Sequence, residues 1–166
     1  QSLRELTEKS DPISLNLNIS TTVSAGFRSF HDSLEGRTDK VVIELQTVDI
    51  FADMDSYMRA RDWLQSQGYR VLIDGLTPLS LQFFDPALLA ADFIKVSWSS
   101  EFLGGVPEDR MVEMRDVVEH TGRDRVILSR VDSQDAIRWA LDLGVTRFQG
   151  HYVDELFEET LAGKRN

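Results

Sequence analysis

Six apolar runs along this chain each carry, at or near their end, a side chain that could do chemistry. Asn18 follows Leu15-Asn16-Leu17, Glu44 interrupts Val41–Gln46, and Asp74 follows Val71-Leu72-Ile73. Lys95 lies within Phe93–Trp98, Ser129 and Asp132 follow Val126-Ile127-Leu128, and Gln149 follows Phe148. Asn, Glu and Asp offer neutral and anionic oxygens, a donor set suited to Mg2+, Mn2+ or Ca2+ rather than to zinc or copper. A lysine beside them could offset the charge of a phosphate or steer a water. The residue types therefore point to metal-assisted phosphoester chemistry. Each residue alone has a plainer explanation: a strand-end Asn or Gln bonds a loop, and a Lys or Asp there is solvated. Repetition on six successive runs favours a shared site at the carboxyl ends of strands.

The elements that would position these residues are legible as periods. Strands are expected at Ser14–Ser20, Val41–Gln46, Arg70–Leu76, Phe93–Trp98, Arg125–Val131 and Arg147–Val153. Most are short and rich in Val, Ile and Leu, as parallel strands covered on both faces tend to be. Ser14–Ser20 differs, because Leu15, Leu17 and Ile19 alternate with Asn16, Asn18 and Ser20. In a barrel both asparagines would face inward and the leucines outward.

Helical spacing fills the gaps. Phe27, Phe30 and Leu34 share a face before Gly36; Met54, Tyr57, Met58 and Leu64 do so before Gly68. Pro107 opens a helix with Met111, Met114, Val117 and Val118 inside and Gly122 at its end. Asp132 or Ser133 caps the next, with Ile137, Ala140 and Leu141 facing the core before Gly144. A short acidic helix is expected at Asp154–Ala162. Trp63 and Trp139 read as packing residues. Trp98 is divided between the core and a base-stacking surface, and Phe83, Phe84 and Pro86 form a candidate apolar contact surface.

Strand and helix alternating six times specify an α/β fold, either an open doubly wound sheet or a (β/α) barrel. No G-x-G-x-x-G or P-loop follows any strand, so the common nucleotide-binding open sheet has no support. The 166 residues fit one domain, 1–166. A net charge of −10 with no Lys/Arg run argues against DNA or RNA as a partner. With no cysteine there is neither a disulfide framework nor a thiolate metal site. No apolar run approaches the ~18 residues of a membrane span, and a cytoplasmic domain is the natural default. The opening Gln1-Ser-Leu-Arg-Glu-Leu suggests a piece of a longer chain, whose other parts could include a membrane anchor.

Taken together, the six runs resemble the later two thirds of an EAL domain, the bacterial cyclic-di-GMP phosphodiesterase fold, a modified (β/α)8 barrel. The family's "NlS" strand is similar to Leu17-Asn18-Ile19-Ser20, and its "ElTE" strand to Glu44-Leu45-Gln46-Thr47. Its "LDDFGTG" strand and loop resemble Ile73-Asp74-Gly75-Leu76-Thr77-Pro78-Leu79. "D-x-lKID" resembles Asp92-Phe93-Ile94-Lys95-Val96-Ser97, "AEGVE" resembles Leu128-Ser129-Arg130-Val131-Asp132, and "QGY" resembles Gln149-Gly150-His151. The implied fold is an incomplete EAL-type barrel of six β/α units. The two upstream strands, one bearing the EAL tripeptide, would precede this chain.

The resemblance implies a vestigial first metal site at Asn18, Glu44 and Asp74 for Mg2+, Mn2+ or Ca2+. With Gln149, the same three residues would contact cyclic-di-GMP. Lys95 and Asp132 would be remnants of the catalytic machinery. Two family positions are lost: the second Asp of the DDFG motif is Gly75, and the Glu of AEGVE is Ser129. Two-metal phosphoryl transfer needs both attacking and leaving oxygens stabilised, and one lost electrostatic donor alone costs ~10²–10³ in rate. Hydrolysis is therefore expected to be lost. Three roles stay open: a regulatory or protein-interaction module, a cyclic-di-GMP receptor that does not cleave, and a residual phosphodiesterase with substitute ligands. Protein partners or flanking signalling domains are implied, and a homodimer through the region after Gly75.

Overall fold

A computed structural model describes residues 13–100 and 106–156. The chain divides into two compact units, Gln1–Gly75 with Ala91–Phe93, and Leu76–Ala90 with Ile94–Asn166.

The first unit is a three-stranded parallel sheet in chain order, β1 (Ile13–Asn16), β2 (Val41–Gln46) and β3 (Arg70–Leu76). Between β1 and β2 lie α1 (Ile19–Thr22) and α2 (Ala25–Ser33); between β2 and β3 lie α3 (Thr47–Ala52) and α4 (Met54–Ser66). The register Leu15↔Ile43 and Leu45↔Ile73 places these apolar residues on one face of the sheet. Ile43, Leu45 and Ile73 are fully buried there, as are Ile50, Tyr57 and Leu64 of the helices. The Ser24 hydroxyl caps α2 by accepting from Phe27 N at 3.2 Å, and Asp53 caps α4 by accepting from Ser56 N at 3.0 Å. The Ser56 hydroxyl and amide hold the Asp53 carboxyl below the usual carboxylate range. An aromatic cluster joins α2, α4 and the start of β3: Phe27, Phe30, His31, Trp63 and Tyr69, with ring centroids 5.2–6.4 Å apart.

The second unit repeats the plan with β4 (Phe93–Ser97), β5 (Val126–Ser129) and β6 (Arg147–Phe148), again parallel and in chain order. Its helices are α5 (Pro78–Phe83), α6 (Glu108–Thr121), α7 (Gln134–Asp142) and α8, residues 151–156. Thr77 and Ser80 close a capping box at the start of α5, with Pro78 at its first position. Ser133 caps α7, its hydroxyl accepting from Ala136 N at 3.3 Å. Ile94, Val96, Met114, Leu128 and Leu143 form the buried centre.

Several expectations shift. The first strand ends at Asn16, because Asn18 takes the N-cap position of α1 with an extended backbone. The last strand stops at Phe148, and the chain turns helical at residue 151, ahead of the expected acidic helix. The part of that helix beyond residue 156, like the side chain of Phe83, lies outside the described residues. Met58 is 40% exposed and Leu141 53% exposed, so neither faces the core. Trp139 takes the inward place on α7, and Pro86 is buried rather than part of a surface.

Candidate functional site

Residues paired in register on neighbouring parallel strands share a face, and that face alternates along each strand. In the first unit the pairs Asn16↔Glu44 and Gln46↔Asp74 set Ser14, Asn16, Glu44, Gln46 and Asp74 on the face opposite the apolar core. In the second unit Ser97↔Ser129 and Lys95↔Ile127 do the same for Lys95, Ser97 and Ser129. The Gln149 amide donates to Leu128 O at 2.8 Å, which carries the ladder one residue past β6 and places Gln149 on that face too. Each unit thus brings its own polar positions together at its strand ends.

The first cluster is tightly bonded within itself. Glu44, 8% exposed, accepts from the Ser14 hydroxyl. Asp74 Oδ2 accepts from Gln46 Nε2 at 3.3 Å, and Asp74 Oδ1 accepts from the Gly75 amide at 2.8 Å. The Thr47 hydroxyl donates to Gly75 O at 3.2 Å. Asn18 stands apart from this network. It is exposed, makes no side-chain cap bond, and lines a cleft of about 1010 Å3 with His31, Asp49, Arg59 and Trp63.

In the second cluster Lys95 and Ser129 are buried, and Ser129 Oγ lies 3.4 Å from Ser97 Oγ and donates to Val96 O at 3.3 Å. Asp132 is exposed but fixed, accepting from Trp98 Nε1 at 3.1 Å and from Ser133 Oγ at 3.0 Å. Trp98 is 4% exposed against Trp139, so its ring is core rather than a stacking platform.

The partners that sequence reasoning passed over are Ser14, Gln46 and Ser97. Period two could have found two of them: Gln46 is two residues beyond Glu44, and Ser97 two beyond Lys95. Among the described residues, no three His, Cys, Asp or Glu side chains converge so as to hold a metal ion. Of the three residues expected to share a metal, Glu44 and Asp74 lie on one strand face, each Asp74 oxygen accepting from a neutral donor, while Asn18 opens α1.

The comparisons with known proteins decide the family. The family model for the EAL domain matches residues 1–155. The chain belongs to the EAL domain family. No curated protein is similar enough by sequence to match. Among solved structures, the EAL-containing YkuI protein of Bacillus subtilis, in complex with cyclic-di-GMP and calcium, aligns with a TM-score of 0.70 at 17% identity. That alignment covers 92% of this chain and 39% of that one. The FimX EAL domain of Pseudomonas aeruginosa, bound to cyclic-di-GMP, gives 0.67 at 14% identity, covering 90% of this chain and 64% of that one. BlrP1 of Klebsiella pneumoniae, a manganese and cyclic-di-GMP complex, gives 0.66 at 17% identity, covering 89% and 39%. At these identities the likeness establishes the fold, an incomplete EAL-type barrel, and the chain spans less than two thirds of each of these proteins. Among the described residues no helix is long and apolar enough to cross a membrane.

Proposed function

We propose that this EAL domain is catalytically degenerate and acts in cyclic-di-GMP signalling as a non-hydrolysing regulatory or protein-interaction module. The observation that carries the reading is Gly75, at the position where the family motif places a second aspartate. Gly75 offers no ligand, and its own amide is turned onto Asp74. Ser129 supports it, since its hydroxyl is spent on Val96 O and the neighbouring Ser97. Flanking signalling domains or a second copy of the chain are the partners this reading calls for, in the cytoplasm.

A receptor that binds the nucleotide without cleaving it is the second reading. What favours it is that Glu44 and Asp74 share one strand face, as Lys95 and Gln149 do in the other unit. Cyclic-di-GMP bound to YkuI and to FimX also supports it. The test is calorimetric titration of the chain with cyclic-di-GMP, in Mg2+ and then in EDTA, with chromatography of the nucleotide. No linear product is expected. Product formation that Asp74→Asn abolishes would overturn the reading, and heat without product would select the receptor over the interaction module.

A further inference from the structure

The strand-end network of the first unit does more than lack a carboxylate at position 75. Asp74 and Gln46 are level across the β2–β3 ladder, and the Gln46 amide meets one carboxylate oxygen at 3.3 Å while the Gly75 amide meets the other at 2.8 Å. Gly75 also has a φ of +92°, a conformation that costs a side-chain-bearing residue free energy. The space a side chain would need is also taken. A Cβ built at Gly75 would stand 2.7 Å from Thr47 Oγ1 and 3.4 Å from Gln46 Oε1. Thr47 is held there by its own bond to Gly75 O at 3.2 Å. Gln46, Thr47 and Gly75 are therefore fitted to one another.

We infer that Gln46, Thr47 and Gly75 form a lock that holds Asp74 through neutral donors in place of a divalent cation and bars a carboxylate from position 75. The inference rests on the degenerate reading and deepens it: the site has been closed, so restoring one aspartate does not reopen it. Gln46 and Thr47 act as positioning residues.

The test uses the full chain and two readouts, neither of which involves the nucleotide. In the first, Mn2+ uptake is followed by the loss of the free-ion EPR signal in wild type and Asp74→Asn. The two should be indistinguishable. Stoichiometric uptake by wild type that Asp74→Asn removes would overturn the inference, whereas uptake common to both lies elsewhere and supports it. In the second, denaturant unfolding compares Thr47→Ala, Gly75→Asp and the double variant. Gly75→Asp should lower the folding equilibrium constant by about fivefold or more, since a side chain at positive φ costs over ~1 kcal/mol. The double variant should recover at least about threefold of that loss. Gly75→Asp as stable as wild type would overturn the lock, as would losses that simply add, or a double variant that does not fold. Because hydrolysis is read only by the nucleotide assay above, failure here and failure of the degenerate reading are separable.

Discussion

The Trp98 indole donates to Asp132 Oδ1 at 3.1 Å, tying the residue after β4 to the turn after β5. The Trp98 amide reinforces the tie by donating to Ser129 O at 2.9 Å. The ring itself packs on Trp139, centroids 5.1 Å apart. A residue whose type suits base stacking is thus spent on joining two strand ends, and its cost of removal can be divided into a ring part and a hydrogen-bond part.

Trp98→Phe keeps most of the ring packing and loses the donor. It should cost about 1–2 kcal/mol, the net worth of a typical hydrogen bond plus a small packing loss. Asp132→Ala should cost about as much as the bond alone, while Asp132→Asn, which keeps an acceptor oxygen, should cost less. Urea unfolding of the two single variants and of Trp98→Phe/Asp132→Ala closes the cycle. A coupling of about 1 kcal/mol is expected, and a coupling near zero would mean that the bond contributes nothing in solution.

Asp92 is a second joint, within the first unit. Its Oδ2 accepts from Val71 N at 2.8 Å and from Gln65 Nε2 at 3.3 Å, while its own amide donates to Val71 O at 2.9 Å. Val71 is fully buried, so removing the carboxylate strands an amide that water does not readily reach. Asp92→Ala should destabilise by about 2 kcal/mol and Asp92→Asn by clearly less, because an amide oxygen still accepts. Equal losses would assign the effect to charge rather than to the orphaned amide.

How far such joints could be read in advance depends on their span. Val41–Gln46 and Arg70–Leu76 are legible to the residue, because continuous apolar runs bounded by polar residues leave no other element to form. The strand expected at Ser14–Ser20 overruns for a local reason: alternation persists through Ile19 and Ser20, but the backbone leaves the ladder at Asn16 and Asn18 opens a helix. The common face of Glu44 and Asp74 follows from period two and a parallel sheet. Their donors do not, because Ser14–Glu44 and Gln46–Asp74 join residues 30 and 28 apart, and only the register brings them level. Met58 and Leu141 fit the helical period yet remain exposed, since the period identifies a stripe and not where the neighbouring layer ends.

Gly150 marks the tightest backbone approach. A Cβ there would lie 2.4 Å from Val131 N and 2.5 Å from Val131 O, both main-chain atoms that cannot rotate away. The same turn carries the Val131 N to Gln149 O bond at 3.1 Å. Gly150→Ala should cost about 3 kcal/mol or more, as overpacking against fixed atoms does at its upper range. Gly26, inside α2, has no atom closer than 3.8 Å to the added carbon. Gly26→Ala should therefore stabilise by about 0.4–1 kcal/mol through helix propensity and a less flexible unfolded chain. Thermal unfolding of the pair checks both signs at once, and a tolerated Gly150→Ala would refute the close approach.

Alkaline stability should turn on Tyr69. The residue is 2% exposed in the aromatic cluster, and burial pushes its hydroxyl up to about 12 from the ordinary value of 10.0. The hydroxyl also lies 2.8 Å from His31 Nδ1. A tyrosine in the unfolded chain releases its proton near pH 10, while Tyr69 in the folded chain keeps its proton until about pH 12. Between those values the folded state binds more protons than the unfolded state, so stability falls as pH rises. The contribution is complete below about pH 10 and is lost progressively toward pH 12. Tyr57, fully buried and raised still further by burial, adds to the same decline. Denaturant midpoints measured from pH 9 to pH 12, with tyrosinate absorbance followed in parallel, should show Tyr69→Phe losing stability over the upper part of that range about half as steeply as wild type. Equal slopes in the two proteins would mean that Tyr69 ionises in the folded state as readily as in the unfolded one, and the decline would then belong to Tyr57.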